Sequence, residues 1–192
     1  IIFDYGTPYV TYLYNADTDK IVKTNLNGYA YSWSPDGNSL FFNDITNNQE
    51  SAKIYNIQTN TFSTIEAGDI PLFHVSHWSP KGDEILLFRF DPETARGEGN
   101  ILNLSNNSIK KIENNRLVFL TWSPSGNRIA YISEGGIFIT SDGVNKISIY
   151  DTPTDPQFVS YGWINDDQIL VFDGGKTTEQ FTLISISQNT KR

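Results

Sequence analysis

Few side chains in this chain are equipped for chemistry. There are two histidines, His74 and His77, one pair of adjacent carboxylates at Asp166-Asp167, and no cysteine. Lack of cysteine removes thiol nucleophiles, thiolate metal sites and disulfides together. His74 and His77 stand three apart on an extended apolar stretch, so strand alternation turns them to opposite faces and away from a shared metal. A histidine bonded to backbone at a packed interface is the simpler reading. Asp166-Asp167 lacks the alternating oxygen ligands of a calcium loop and reads as a solvated turn. The sequence contains neither a Gly-x-Ser-x-Gly elbow with a distant catalytic histidine nor a phosphate-cradling or dinucleotide-binding glycine loop. Gly97-Glu98 and Gly174-Gly175 read as ordinary loop glycines. The residues therefore assign no catalytic group, no metal and no cofactor.

The elements that must position whatever the chain does are repeats. Trp33-Ser34-Pro35-Asp36-Gly37 returns as Trp78-Ser79-Pro80-Lys81-Gly82, as Trp122-Ser123-Pro124-Ser125-Gly126 and, in weaker form, as Trp163-Ile164-Asn165-Asp166-Asp167. These copies hold every tryptophan and recur at intervals of 45, 44 and 41 residues. That is the period of four-stranded propeller blades. Tryptophan is expected to wedge between adjacent blades, proline to fix φ at the turn, and glycine to take a backbone angle closed to other residues. An apolar residue, Leu40, Ile85, Ile129 or Ile169, then opens the return strand toward the core.

The expected fold is all-β, a propeller of antiparallel blades forming one domain over 1–192. It divides into a partial blade at 1–26, full blades at 29–66, 73–113 and 117–150, and a partial blade at 158–187. Gly135 and Gly136 are expected to turn the tight middle hairpin of the third full blade. The first partial blade reads as second, third and fourth strands, and the chain after Ile186 as a polar turn. Unpaired strands and apolar blade faces at both ends are a liability, so the array is expected to be a piece of a longer protein.

Composition agrees with a globular chain: 38% hydrophobic, 19% charged and 14% aromatic. A formal net charge of −8 repels phosphate backbones, so nucleic acid is not expected as a partner. No apolar run reaches the roughly 18 residues needed for a membrane span.

The forms YSWSPDGNSLFF, SHWSPKGDEILLF and LTWSPSGNRIAY resemble the TolB-type repeat, also called the WD40-like or PD40 repeat, over nearly the whole chain. The Asp-box of sialidases fits poorly, since its Asp–Gly spacing and closing tryptophan are missing. The resemblance implies a ring of six blades, with five and seven open. It also implies a bacterial periplasmic, secreted or cell-surface setting and a role as a protein-binding module. Similar propellers gate prolyl-oligopeptidase-like peptidases, and a few carry a lyase or hydrolase site at the central channel.

Blade topology puts the motif turns on one face of the disc and the second-to-third-strand connections on the other. Two of these connections, 44–51 and 91–100, are long and come from successive blades, and such segments are where binding concentrates. Tyr29, Asp44, Asn47, Glu50, His74, Arg89, Asp91 and Arg96 are the candidate partner-binding residues. Permissive solvent loops are the competing reading. Tyr12, Tyr14, Tyr29, Tyr31 and Tyr161 suit either blade packing or stacking on carbohydrate. The leading expectation is a noncatalytic protein-binding propeller. An accessory propeller of a larger enzyme and a carbohydrate-binding or sensor module are the alternatives.

Overall fold

The computed structural model describes residues 2–4, 11–46, 49–65, 73, 75–91, 96–112, 117–133, 135–151, 159–174 and 179–189. These form five antiparallel sheets in which each strand pairs with its neighbours in sequence. β1 (Ile2–Asp4), β2 (Thr11–Asn15) and β3 (Lys20–Lys23) make a three-stranded sheet. Three four-stranded blades follow. They are β4 (Gly28–Trp33), β5 (Ser39–Thr46), β6 (Gln49–Asn56) and β7 (Thr61–Thr64); β8 (Val75–Trp78), β9 (Glu84–Asp91), β10 (Arg96–Asn103) and β11 (Ile109–Ile112); and β12 (Phe119–Trp122), β13 (Ile129–Ser133), β14 (Gly136–Thr140) and β15 (Lys146–Asp151). The last sheet has three strands, β16 (Val159–Asn165), β17 (Gln168–Asp173) and β18 (Gln180–Ser185). The chain after it is not the expected turn: Ile186–Asn189 forms a short helix, α1, with Ile186 buried.

The core is divided among the blade interfaces. Leu26, Leu40, Phe42 and Tyr55 pack with Leu13 between the first sheet and the β4–β7 blade. Phe41, Ala52, Phe73, Ile85, Leu87 and Leu102 fill the next interface. Leu86, Ile101, Ile112, Leu117, Leu120, Ile129 and Tyr131 fill the third. Ala130, Ile132, Ile137, Ile139, Ile149, Val159, Ile169, Val171 and Ile184 fill the fourth. Successive residues of a strand point to opposite faces, so second strands covered on both faces read as unbroken apolar runs. Leu40, Phe41 and Phe42 are each 0% exposed, and Leu40 and Phe42 belong to one interface while Phe41 belongs to the next.

The repeated motif builds these interfaces. Its serine carbonyl accepts the glycine N–H at 2.9 Å in Ser34–Gly37 and Ser79–Gly82 and at 2.8 Å in Ser123–Gly126. The three glycines take φ of +70°, +81° and +70°, which an L side chain resists. Gly126 also lies so close to Ser79 and Pro80 of the preceding turn that a methyl group would stand 3.0 Å from Ser79 Oγ. The turns thus stack from blade to blade. Trp78, Trp122 and Trp163 pack between successive blades, as expected. Trp33 differs, remaining 38% exposed. The first sheet contains no tryptophan-bearing strand for it to pack on.

Asp166 and Asp167 form the expected solvated turn, and they also tie it to neighbouring segments. Asp166 Oδ1 accepts the Ser125 N–H at 2.9 Å, and its carbonyl accepts Arg128 Nη1 at 2.9 Å, both from the preceding blade. Asp167 accepts the hydroxyls of Ser185 and Ser187, each at 2.9 Å. Hydrogen bonding from the Ser125 side chain and backbone to Asp166, and from Ser187 and Ser185 to Asp167, holds both carboxyls below their ordinary pKa.

Candidate functional site

The described residues of the segments 44–51 and 91–100 are strand and not loop. The β5–β6 ladder continues through Asp44↔Ser51, Ile45↔Glu50 and Thr46↔Gln49, and the β9–β10 ladder through Arg89↔Glu98, Phe90↔Gly97 and Asp91↔Arg96. Among the described residues both hairpins outrun the ladders to their flanking strands. β4 pairs no further than Gly28↔Asp44 and β7 no further than Lys53↔Thr64. β8 stops at Val75↔Phe88 and β11 at Gly99↔Ile112. The corresponding hairpin of the next blade turns at once at Gly135, whose φ is +88°. Gly136 has no such angle and is the first residue of β14. Two neighbouring blades therefore raise β-ribbons that the third lacks.

A bulge aims Tyr29 at the first ribbon. Tyr29 opposes Asn43 and Ser32 opposes Phe41, leaving Ala30 and Tyr31 against Phe42. The extra residue resets the alternation, so Tyr29 and Ser32 share the face toward the β8–β11 blade. Ser32 Oγ accepts the Trp78 N–H there at 2.9 Å. Tyr29 reaches across β5 and donates its hydroxyl to Glu50 Oε2 at 2.6 Å. On the same face, buried Asn43 donates Nδ2 to the Phe73 carbonyl at 2.9 Å.

Asp44 points the other way. Its Oδ2 accepts Lys53 Nζ at 2.6 Å and Thr46 Oγ1 at 2.7 Å, with the two side chains of the ion pair 8% and 24% exposed. Asn27 clasps the ribbon root: its carbonyl accepts the Ile45 N–H at 2.7 Å, and its Nδ2 donates to the Ile45 carbonyl. On the second ribbon, exposed Arg89 lies opposite Glu98, which pairs with Lys111 at 3.2 Å. Alternation places Arg89 with Ile85 and Leu87, on the face toward the β4–β7 blade.

The expected candidates therefore separate. Tyr29 and Glu50 are in contact, Arg89 lies on the face of the next blade turned toward theirs, and Asp44 serves the opposite side of its blade. Asn47 and His74 lie outside the described residues, and the side chains of Asp91 and Arg96 lie outside them too. Sequence reasoning missed Asn27, Asn43, Lys53, Glu98 and Lys111. A ladder carried through 44–51 would have paired Lys53 with Asp44, since the two sit diagonally across it.

His77 lies at the interface between its blade and the next, and burial lowers its pKa from the ordinary value of 6.5. Burial raises the pKa of Tyr161, whose hydroxyl donates to the Ala130 carbonyl at 2.6 Å. That tyrosine serves blade packing. Among the described residues no group of three or more His, Asp or Glu is placed to hold a metal, and no helix is long and apolar enough to cross a membrane.

No family model matches the chain, and a search of curated proteins finds no match. Solved structures do match. TolB from Acinetobacter baumannii aligns with 98% of this chain and 49% of its own at 17% identity and a TM-score of 0.61. The fold is a TolB-like β-propeller. An oligogalacturonate lyase from Vibrio parahaemolyticus aligns with 94% of this propeller and 57% of its own chain, at 13% identity and a TM-score of 0.68. The acylaminoacyl peptidase of Pyrococcus horikoshii aligns over 92% and 36% of the two chains, at 12% identity and a TM-score of 0.61. The propeller described here thus spans about half the length of the TolB chain and less of the peptidase. Likeness at such identities carries the fold, and both non-enzymes and enzymes share it.

Proposed function

We propose that this propeller is a noncatalytic module that binds another protein, within a bacterial extracytoplasmic protein, through the face carrying the two ribbons. The observation that carries this reading is the pair of neighbouring hairpins β5–β6 and β9–β10, both outrunning their flanking strands. A ribbon held by a ladder loses less freedom on docking than a loop would, which favours affinity. Tyr29, Glu50 and Arg89 are the contacts assigned to the partner. Tyrosine and arginine at the centre of such a surface are the side chains that most often dominate binding. Carbohydrate stacking draws less support, because the Tyr161 ring is packed against the β12–β15 blade and Phe119.

The second reading is an accessory propeller on a larger enzyme, favoured by the match to only 36% of the peptidase chain. It leaves the ribbon face free to meet a catalytic part instead of a separate protein. A photo-crosslinking residue at position 50, compared with one at position 36 on the motif-turn face, tests the proposal in the protein's native host. An intermolecular adduct at 50 that Arg89→Glu removes, with none at 36, supports it. Adducts at 36 alone, or at neither position, count against it.

A further inference from the structure

β3, β7, β11 and β15 are the last, outermost strands of their sheets. An outer edge is a template for another strand, and lysine is a common guard on it. β3 reads Lys-Ile-Val-Lys, so its exposed Ile21 and Val22 stand between two ammoniums; β11 carries Lys110 and Lys111, and β15 opens on Lys146. β7, Thr-Phe-Ser-Thr, has no such guard, and no charged residue occurs from Ile54 to Ile65. The ladders place the contrast. Aligning Leu40↔Tyr55↔Phe62 with Ile85↔Leu102↔Ile109 puts Ser63 and Thr64 where β11 has Lys110 and Lys111. Aligning it with Ile129↔Thr140↔Lys146 puts Phe62 where β15 has Lys146. All four residues of β7 are exposed, Phe62 at 49%. The β4–β7 blade is complete and packed on both faces, so this edge is bare by its place at the rim.

We infer that the β7 edge joins two copies of this chain into a two-fold dimer, each β7 running antiparallel to the other. The Ile65 N–H donates to the Ala52 carbonyl at 3.0 Å. Alternation along the β6–β7 ladder therefore bonds Thr61 and Ser63 to β6 and turns the backbone N–H and C=O of Phe62 and Thr64 outward. No hydrogen bond to these outward groups is made among the described residues. They are self-complementary about Ser63. Phe62 of one copy exchanges two bonds with Thr64 of the other, Thr64 exchanges two with Phe62, and the two Ser63 residues meet at the axis as a non-hydrogen-bonded pair. Opposed residues share a face, so Phe62, packed on Tyr55 at 5.0 Å between ring centroids, gains a threonine neighbour across the junction. Charge favours a second copy at this edge over the others. At a net charge of −8 two copies repel, and a strand without charge is where they can approach. Such a contact closes at two subunits, and the remaining outer strands stay guarded by lysine.

The absence of cysteine lets the register be read directly. Ser63→Cys places two thiols at the axis with Cα atoms about 4.5 Å apart, within reach of a disulfide. Mild oxidation of the 192-residue chain should then give a covalent dimer faster by about tenfold or more than with Thr59→Cys, on the exposed turn before β7. Ser63→Lys sets like charges opposite each other at the axis and should raise the dimer dissociation constant, read by sedimentation, by about fivefold or more. Mixing it with Ser63→Asp should restore a dimer of one copy of each, which a variant that merely failed to fold cannot do. Equal oxidation rates at positions 63 and 59 overturn the inference, as does a dissociation constant that Ser63→Lys leaves unchanged. A monomer at every concentration overturns it too, and leaves the edge to a strand of another protein.

Discussion

The indole N–H of Trp122 lies 3.1 Å from the backbone carbonyl of His77, a residue 45 positions earlier and one blade away. Trp163 makes a like bond to Thr121 Oγ1, whereas Trp78 crosses through its backbone N–H to Ser32, so the same substitution should cost different amounts at different copies of one motif. Trp122→Phe strips the donor from a part-buried carbonyl and leaves a smaller ring against the inter-blade core, a loss of at least about 1–2 kcal/mol. Trp33→Phe acts on a side chain that is 38% exposed, and should fall within about 0.5 kcal/mol. Urea unfolding of the two variants checks the contrast, and equal costs would contradict it.

Lys53 neutralises a carboxylate that is only 8% exposed. Lys53→Met should destabilise by roughly 2–4 kcal/mol, because Asp44 is left charged and poorly solvated. Asp44→Asn in the same chain should recover much of that loss. A double-mutant cycle by chemical denaturation reads the coupling, and additive costs would show that the pair does not act as a unit.

Burial lowers the pKa of His77, so the folded chain takes up its proton less readily than the unfolded chain does. The unfolded state then binds more protons as pH falls through the ordinary value of 6.5. Stability from this site is full above that pH and declines below it, toward the lower folded value. His77→Gln should flatten the decline between pH 7 and pH 5. Melting temperatures across that range decide the matter, and an unchanged slope would remove His77 as the cause.

Tyr29 and Glu50 share a short hydrogen bond at an exposed rim. Tyr29→Phe and Glu50→Gln should each change stability by less than about 1 kcal/mol. Each should still weaken partner binding by about tenfold, as expected of a central aromatic anchor and its orienting carboxylate. Calorimetric titration set beside thermal melts separates the two effects.

The fold was legible because its signal repeats. Three copies of one motif register the strands, and the apolar runs at residues 40–42, 85–87 and 129–132 identify second strands covered on both faces. The ribbons were not legible, since Asp44, Thr46, Gln49 and Glu50 on the first and Arg89, Arg96 and Glu98 on the second interrupt the alternation that marks a strand. Backbone ladder bonds hold those segments, and ladder bonds leave no trace in side-chain type. The same limit hid the Tyr29 bulge, which no residue between Gly28 and Trp33 announces. Asp166 and Asp167 form the turn read from the sequence, but their partners Ser125 and Ser187 lie 41 and 20 residues away, beyond any local pattern.

The claim on which the functional reading turns is that the non-repeating ribbons, and not the repeated motif, recognise the partner. Replacing 44–51 by a two-glycine turn like that at Gly135-Gly136 removes the first ribbon while leaving Phe41, Phe42 and the inter-blade clusters intact. With Lys53→Met included so that no unpaired ammonium is left, the account predicts a still cooperative melt together with a fall in partner affinity of about a hundredfold or more. Parent-like affinity in the shortened, folded protein would contradict it.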